Sequence, residues 1–210
     1  MFRILIPARG GSKRIKNKNL LKIQDKSLLH KSIEISLKFT DEVYVSTDSE
    51  KIKKEALKCG AKVHTRPLKY ATDTSSTKEV VYDFLNTYND TKELALIQCT
   101  SPFIQYNHLK QAINKIPKFS SVISVYKDTS FYWEELGNNA IPKYDIMNKP
   151  RTQDMVPLFK ETGAFYIFNV LAFLHQKTIT PTPTGLIKVD LKSSFDIDTL
   201  EEYELIKLLK

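Results

Sequence analysis

The chain predicts an α/β fold, a mostly parallel sheet with helices on both faces, and two observations carry that prediction. Short apolar runs of strand length alternate with segments whose apolar residues recur at helical spacing, the rhythm that parallel strands need for their crossovers. The first such run, Arg3 to Pro7, then breaks into Gly10-Gly11. In this class of fold a loop after a strand lies at the carboxyl edge of the sheet, where ligands bind.

The elements follow in order. Arg3 to Pro7 is a short apolar strand, and Ser27 to Phe39 is a helix with a broad apolar face made by Leu28, Leu29, Ile33, Ile35 and Leu37. Glu42 to Ser46 alternates as a strand, and Thr47-Asp48-Ser49-Glu50 has the form of a capping box opening a helix that Gly60 closes. Lys62 to His64 is a strand, Ser75 to Tyr88 a helix, Leu94 to Gln98 a buried strand, Asn107 to Ile116 a helix and Ser120 to Tyr126 a strand. From Lys127 to Val156 the pattern fails, since Phe131, Tyr132 and Trp133 are followed by Gly, Asn, Pro and Lys in no period. Such an insertion in a compact α/β chain is a lid, an arm or an oligomer contact. Gly163 to Phe168 and Leu186 to Asp190 are strands, and Leu200 to Leu209 is the closing helix.

A length of 210 residues suits one domain, 1–210, with an arm insertion at about 127–160. Hydrophobic residues make up 41% and charged residues 27%, which excludes disordered and fibrous classes. The apolar start is too short for a signal peptide, and no stretch approaches the roughly 18 apolar residues of a membrane span. A cytoplasmic protein without membrane insertion is expected. Cys59 and Cys99 have neither a zinc spacing nor a disulfide framework and are read as buried free thiols.

The formal net charge is +8, which suits nucleic acid, an anionic surface, or small phosphorylated and carboxylated substrates. The excess is partly local: between Arg9 and Lys31 stand eight Lys or Arg residues and a single acid, Asp25. That favours a site. Gly10 and Gly11 clear side chains away from backbone N–H groups, and Arg9, Lys13 and Lys18 supply charge, so the loop reads as a polyphosphate cradle, with a flexible basic loop an equal alternative from the glycines alone. It matches neither G-x-x-x-x-G-K-[ST] nor G-x-G-x-x-G.

Pro7-Ala8-Arg9-Gly10-Gly11-Ser12-Lys13 through Lys18-Asn19 resembles the signature of acylneuraminate cytidylyltransferases, the CMP-sialic acid synthetases. Further matches run in the family's order: Val45-Ser46-Thr47-Asp48; Arg66-Pro67 with Ala71-Thr72-Asp73; Gln98-x-Thr100-Ser101-Pro102; Pro150-Arg151-x-Gln153-Asp154; Thr162-Gly163-Ala164-Phe165-Tyr166; and Asp196-Ile197-Asp198-Thr199. They span nearly the whole chain. The resemblance implies a Rossmann-like sheet of the nucleotide-diphospho-sugar transferase type, with a protruding dimerisation arm. It also implies transfer of CMP from CTP to the anomeric hydroxyl of a nine-carbon keto-acid sugar, with Mg²⁺ as cofactor and a homodimer as the usual state.

On that basis Arg9, Gly10, Gly11, Ser12, Lys13 and Lys18 are expected around the triphosphate, where negative charge grows on the leaving pyrophosphate. Arg9 and Lys18 are the firmest side chains. Similarity to the family adds Ala8, Asn19, Arg66, Ser76 and Thr77 for the nucleotide, although Ser76 also suits the N-cap of the helix that follows. Asp196 and Asp198 stand two apart, so an extended segment projects both carboxylates from one face as hard-oxygen ligands. Asp198-x-x-Glu201 alone reads as an acidic helix cap; the family's metal motif reverses that weighting, and Asp198 is the preferred base. For the acid sugar the candidates are Gln98, Lys149, Arg151 and Gln153, with Arg151 offering a planar guanidinium to a carboxylate and a salt bridge within the arm as its structural alternative.

Departures from the family bear on detail. Cys99 replaces a frequent proline and is read as packing, and Thr152 stands where animal-type members carry another arginine. No long extension follows Lys210, so a stand-alone synthetase is expected. Sialic acid, its deaminated relative and legionaminic acid are the open acceptors. The alternatives are an eight-carbon keto-acid sugar of lipopolysaccharide or, in another class, a basic nucleic-acid-binding protein using the Arg9 to Lys31 patch, for which no reader motif is present.

Overall fold

The computed structural model of the chain describes residues 1–209. In chain order its elements are β1 (Phe2–Pro7), β2 (Lys22–Ile23), β3 (Lys26–Ser27), α1 (Leu28–Ser36), β4 (Val43–Thr47), α2 (Glu50–Lys58), β5 (Lys62–Thr65), α3 (Thr77–Thr87), β6 (Glu93–Ile97) and α4 (Tyr106–Lys115). There follow β7 (Ser121–Asp128), β8 (Trp133–Leu136), β9 (Asn139–Pro142), β10 (Leu158–Asn169), α5 (Val170–Gln176), β11 (Thr184–Val189) and α6 (Leu200–Leu208).

Seven strands form one sheet in the order β11-β7-β10-β6-β1-β4-β5. Only β10 runs against its neighbours β6 and β7. Along β1 the two-residue period divides the core: Ile4 and Ile6 join the cluster beneath α1, α2 and α4, while Leu5 joins Phe84, Phe168 and Phe173 on the other face. Both faces are therefore covered, as expected for a sheet of this kind. From β1 the chain moves outward to β4 and β5, then returns to the other flank of β1 at β6. The carboxyl ends of β1 and β6 thus border the topological switch point, the crevice where open α/β sheets bind ligands.

The structure departs from the sequence expectations where local pattern lost to tertiary contact. No capping box forms at Thr47 to Glu50: the N-cap Ser49 makes no side-chain cap bond, and the Thr47 hydroxyl accepts from Ser49 N at 3.1 Å. Thr47 is instead the buried last residue of β4. The expected aperiodic arm contains a small antiparallel hairpin, β8 with β9, whose residues are exposed on both faces except for the half-buried Pro142 and so carry no alternation. β10 begins at Leu158 and reaches Asn169 through an irregularity between Glu161 and Tyr166, near Gly163 at φ 75°. The seven-residue α5 is too short to show a period.

Candidate active site

The loop after β1 is fixed from below before it meets any ligand. Ala8 N donates to Ser46 O at 2.9 Å, and Gly10 N donates to Asp48 Oδ1 at 2.8 Å. A Cβ at Gly10 would lie 2.7 Å from Ser49 Cβ, whereas one at Gly11 would meet nothing within 4 Å. The two glycines therefore differ: Gly10 permits close packing on the start of α2, its amide already bonded to Asp48, and Gly11 borders open space. Gly10→Ala is expected to lose about 1–3 kcal/mol of stability by overpacking, and Gly11→Ala to stay within about 0.5 kcal/mol, as read by urea denaturation.

Asn17 in the left-handed conformation, φ 55°, turns the chain into a short 3-10 segment at Lys18–Leu20. Asn19 is buried there, and its Nδ2 donates to Arg9 O at 3.1 Å, closing the loop on itself. Above this frame the cations divide into two groups. Arg9 and Lys13 pair with Asp73 at 2.8 and 2.9 Å. Lys18 and Arg14 pair with Asp198, each at 3.0 Å, and Lys18 also donates to Ile197 O at 3.0 Å.

The Asp196-Ile197-Asp198 segment is anchored by Ile197, whose side chain is fully buried and whose N–H donates to Thr100 O at 2.9 Å. With Ile197 turned inward, Asp196 and Asp198 line the same cleft. Their environments push them apart. Burial, with the Asp198 charge adding, raises Asp196 above the ordinary carboxylate range, while Ser101 Oγ donates to it at 3.1 Å. The hydrogen bond from Lys18, with Arg14 adding, holds Asp198 below that range. The cap before α6 belongs to Thr199 and Glu202, not to Asp198 and Glu201, so the Asp198 side chain is released toward Lys18. Glu202 Oε2 still accepts from Asp198 N at 2.7 Å and fixes its backbone.

Lys18 stands where three clefts meet. One of about 330 Å³ is lined by Lys18, Gln98, Thr100, Tyr166, Asp196 and Asp198, with Thr77 at its rim. A second of about 200 Å³ adds Arg9, Ser12, Asn19 and Arg66. The third, about 470 Å³, adds Lys13, Arg14 and Asp73. Arg66 is buried, with Nη2 donating to Ser46 O at 2.8 Å and Nε to Ser46 Oγ at 3.1 Å. Burial lowers its pKa to about 10, so it remains a cation at neutral pH.

The structure thus brings together Arg9, Ser12, Lys13, Lys18, Asn19, Arg66, Thr77, Gln98, Asp196 and Asp198. The Ser76 hydroxyl is engaged in the capping box of α3 with Glu79. Lys149, Arg151 and Gln153 line none of these clefts: Arg151 pairs within the arm with Asp154 at 2.6 Å, and Lys149 lies 4.4 Å from the Phe131 ring centroid. Thr152 does face a larger hollow of about 870 Å³ between the arm and α6, which Asp196 and Asp198 also border.

Sequence reasoning passed over Ser101, which braces Asp196, and Asp48, which braces Gly10. It also passed over His64, which is buried between Ser46 Oγ at 3.0 Å and Asp83 Oδ2 at 3.3 Å beneath Arg66. Only the Ser101 and Asp48 positions lay inside motifs already singled out. Tyr166, read first as a strand residue, bonds Glu161 through its hydroxyl and lines the central cleft.

A family model described as cytidylyltransferase matches residues 3–210. An N-acylneuraminate cytidylyltransferase of Escherichia coli is 32% identical over 96% of this chain and 50% of its own length. A pseudaminic acid cytidylyltransferase of Campylobacter jejuni is 32% identical over 98% of this chain and 94% of its own. The chain spans about half the length of the N-acylneuraminate relatives it matches. In fold it is similar to a CMP:2-keto-3-deoxy-manno-octonic acid synthetase complexed with CTP, at a TM-score of 0.70 and 18% identity over 99% of this chain and 97% of that one.

Proposed function

The chain belongs to the cytidylyltransferase family, and on that premise we propose that it transfers CMP from CTP to the anomeric hydroxyl of a nine-carbon keto-acid sugar, releasing pyrophosphate. The observation that carries the proposal is the meeting at one switch point of a cationic loop and a carboxylate pair, with Lys18 joining them. The relatives named for N-acylneuraminate and pseudaminic acid supply the acceptor class. An eight-carbon acceptor has only a likeness of fold behind it.

Arg9, Lys13 and the loop around Gly11 receive the β- and γ-phosphates, and Asp73 is the carboxylate they leave on CTP binding. Opposing charge at the leaving pyrophosphate lowers the barrier. Arg66, held rigid by Ser46, adds a fixed positive charge at the floor of the nucleotide cleft. Asn19 and Thr77 bound the base and ribose end. Gln98 and Tyr166 face the acceptor across the central cleft.

Mg²⁺ fits the pair Asp196 and Asp198, because two carboxylates on one side of an extended segment are the hard oxygen donors that this ion takes, in small number, beside substrate phosphates. Burial, with the Asp198 charge adding, raises Asp196, and a cation there would offset both. When bound, the ion supplies Lewis-acid stabilisation of phosphate charge. Asp198, kept ionised by Lys18, is the group that takes the sugar hydroxyl proton.

A pH dependence follows. Asp196 must be ionised, and its pKa is raised, so the acid limb of kcat/KM lies above the ordinary carboxylate value. Activity is lost as pH falls through that limb, and rising Mg²⁺ moves the limb to lower pH. A profile at two metal concentrations measures both.

The arm leaves Trp133, Met147, Val156 and Leu158 exposed, an apolar surface suited to a second copy. A homodimer in which Lys149, Arg151 and Gln153 complete the partner's sugar pocket accounts for their distance from the clefts of their own chain. Among the described residues no helix is long and apolar enough to cross a membrane, and the free thiols suit a reducing compartment, the cytoplasm. Arg9, Lys13, Arg14 and Lys18 of the basic loop are paired with Asp73 and Asp198 around the clefts, which argues against nucleic acid as partner.

Pyrophosphate release from each nucleoside triphosphate with a panel of nine- and eight-carbon keto-acid sugars tests the proposal. Release is expected only with CTP, Mg²⁺ and a nine-carbon acceptor together. Turnover that needs no acceptor, or that prefers another nucleotide, overturns it.

A further inference from the structure

On the far side of α1 and α2, three side chains that line none of the clefts above converge. The side chains are His30 in the first turn of α1, Glu55 on α2, and Cys59 one helical turn further on, at the C-cap of α2. Their nearest ligand atoms all lie within 4.8 Å of one another, each side chain half-buried. No other group of three such residues comes together among the described residues. Glu55 and Cys59 share a face by their spacing of four, and the packing of Leu29 and Ile33 with Ile52 and Ala56 in one core holds the two helices in register. The juxtaposition is thus built into rigid elements, although no sequence spacing announces it.

We propose that His30, Glu55 and Cys59 form a zinc-binding site that clamps α1 to α2, with the fourth position taken by water. Three features of geometry and chemistry support this. Cys59 Sγ lies 3.4 Å from His30 Nδ1; a tetrahedral ion with ordinary Zn–S and Zn–N bonds separates those atoms by about 3.5 Å. A thiolate, a carboxylate and a neutral imidazole balance the charge of a divalent ion, and this mixed soft and hard set suits zinc over magnesium or calcium. The site also has an outer shell: Ser27 Oγ donates to Glu55 Oε1 at 2.9 Å and accepts from His30 N at 3.0 Å. One hydroxyl therefore orients the Glu55 carboxylate, as partners around metal ligands do, and caps the turn of α1 that carries His30. On binding, the Cys59 thiol gives its proton to solvent. The metal is expected to act on stability, not on turnover, because no ligand borders the candidate active site.

The full-length chain, reduced and free of chelator, is titrated with Co²⁺ and then Zn²⁺ in excess Mg²⁺, which keeps the Asp196 and Asp198 pair occupied. One equivalent of Co²⁺ is expected to give a thiolate-to-metal charge-transfer band and tetrahedral visible bands, both removed by Zn²⁺. Zn²⁺ should slow iodoacetamide alkylation of Cys59 at least about tenfold and raise the Tm. Cys59→Ala should abolish the charge-transfer band, and His30→Ala and Glu55→Gln should each weaken Zn²⁺ binding by about tenfold or more. Absence of the thiolate band in the wild type, or alkylation of Cys59 that Zn²⁺ leaves unchanged, overturns the site. So does Zn²⁺ affinity that His30→Ala leaves intact. The alkylation measurement needs no variant, so it decides the matter even if Cys59→Ala does not fold.

Discussion

Asp198→Asn is expected to lower kcat by at least about a thousandfold, on the scale of removing a metal ligand and a charged catalytic group together, while circular dichroism and Tm change little. The reasons lie in how this carboxylate is held. It is half-exposed and caps no helix, since Thr199 and Glu202 perform that task for α6. Its oxygens are spent on Lys18 and Arg14 instead. The backbone around it is fixed independently by Ile197 in the core and by Glu202 accepting from Asp198 N. Removing the charge therefore leaves the segment in place and takes away both the proposed metal donor and the proposed proton acceptor. Asn keeps the size and one oxygen, so a loss of activity with intact folding reports the charge. Near wild-type kcat in this variant, at saturating Mg²⁺, would remove Asp198 from the chemistry.

How far this site can be read from sequence differs from residue to residue. The order of strands and helices was legible because it rests on periodicities of two and 3.6, which are local. So were the cations after β1, which are neighbours in the chain, whereas the Asp196 and Asp198 pair reads locally as an acidic helix cap and was singled out only through the family resemblance. Thr47 to Glu50 shows the limit: four residues with the composition of a capping box serve other ends. Burial of Thr47 at the end of β4 and the reach of Asp48 to Gly10, 38 positions away, decide their conformation. Ser101 bracing Asp196 spans 95 positions. His64, between Ser46 and Asp83, owes its place to β4 and β5 pairing in register. The His30, Glu55 and Cys59 cluster arises from helix packing alone. These contacts exist only once the sheet is assembled, and no window of sequence contains them.

Lys18→Met is the second large effect, expected to reduce kcat/KM by about a hundred- to a thousandfold, the cost of losing one positioned donor to developing charge. Lys18 is the one side chain common to all three clefts, with its ammonium bonded to both Asp198 Oδ1 and Ile197 O. It therefore has two roles that can be separated. In the proposed reaction its positive charge would stabilise negative charge on the triphosphate, and as the main influence holding Asp198 below the ordinary carboxylate range it keeps that acid ionised. In Lys18→Met the Asp198 pKa rises toward its ordinary value and that of Asp196, which the Lys18 charge also lowers, rises further, so the acid limb set by Asp196 should shift upward in addition to the fall in the plateau. A purely structural role for Lys18 moves neither. The double variant Lys18→Met with Asp198→Asn carries the sharper expectation: if the two act as one unit, it is scarcely slower than Asp198→Asn alone, because groups that work together lose their effects non-additively. Losses that multiply would instead assign the lysine to the phosphates and the aspartate to the acceptor as independent contributors, and the ion pair between them would be no more than a resting contact.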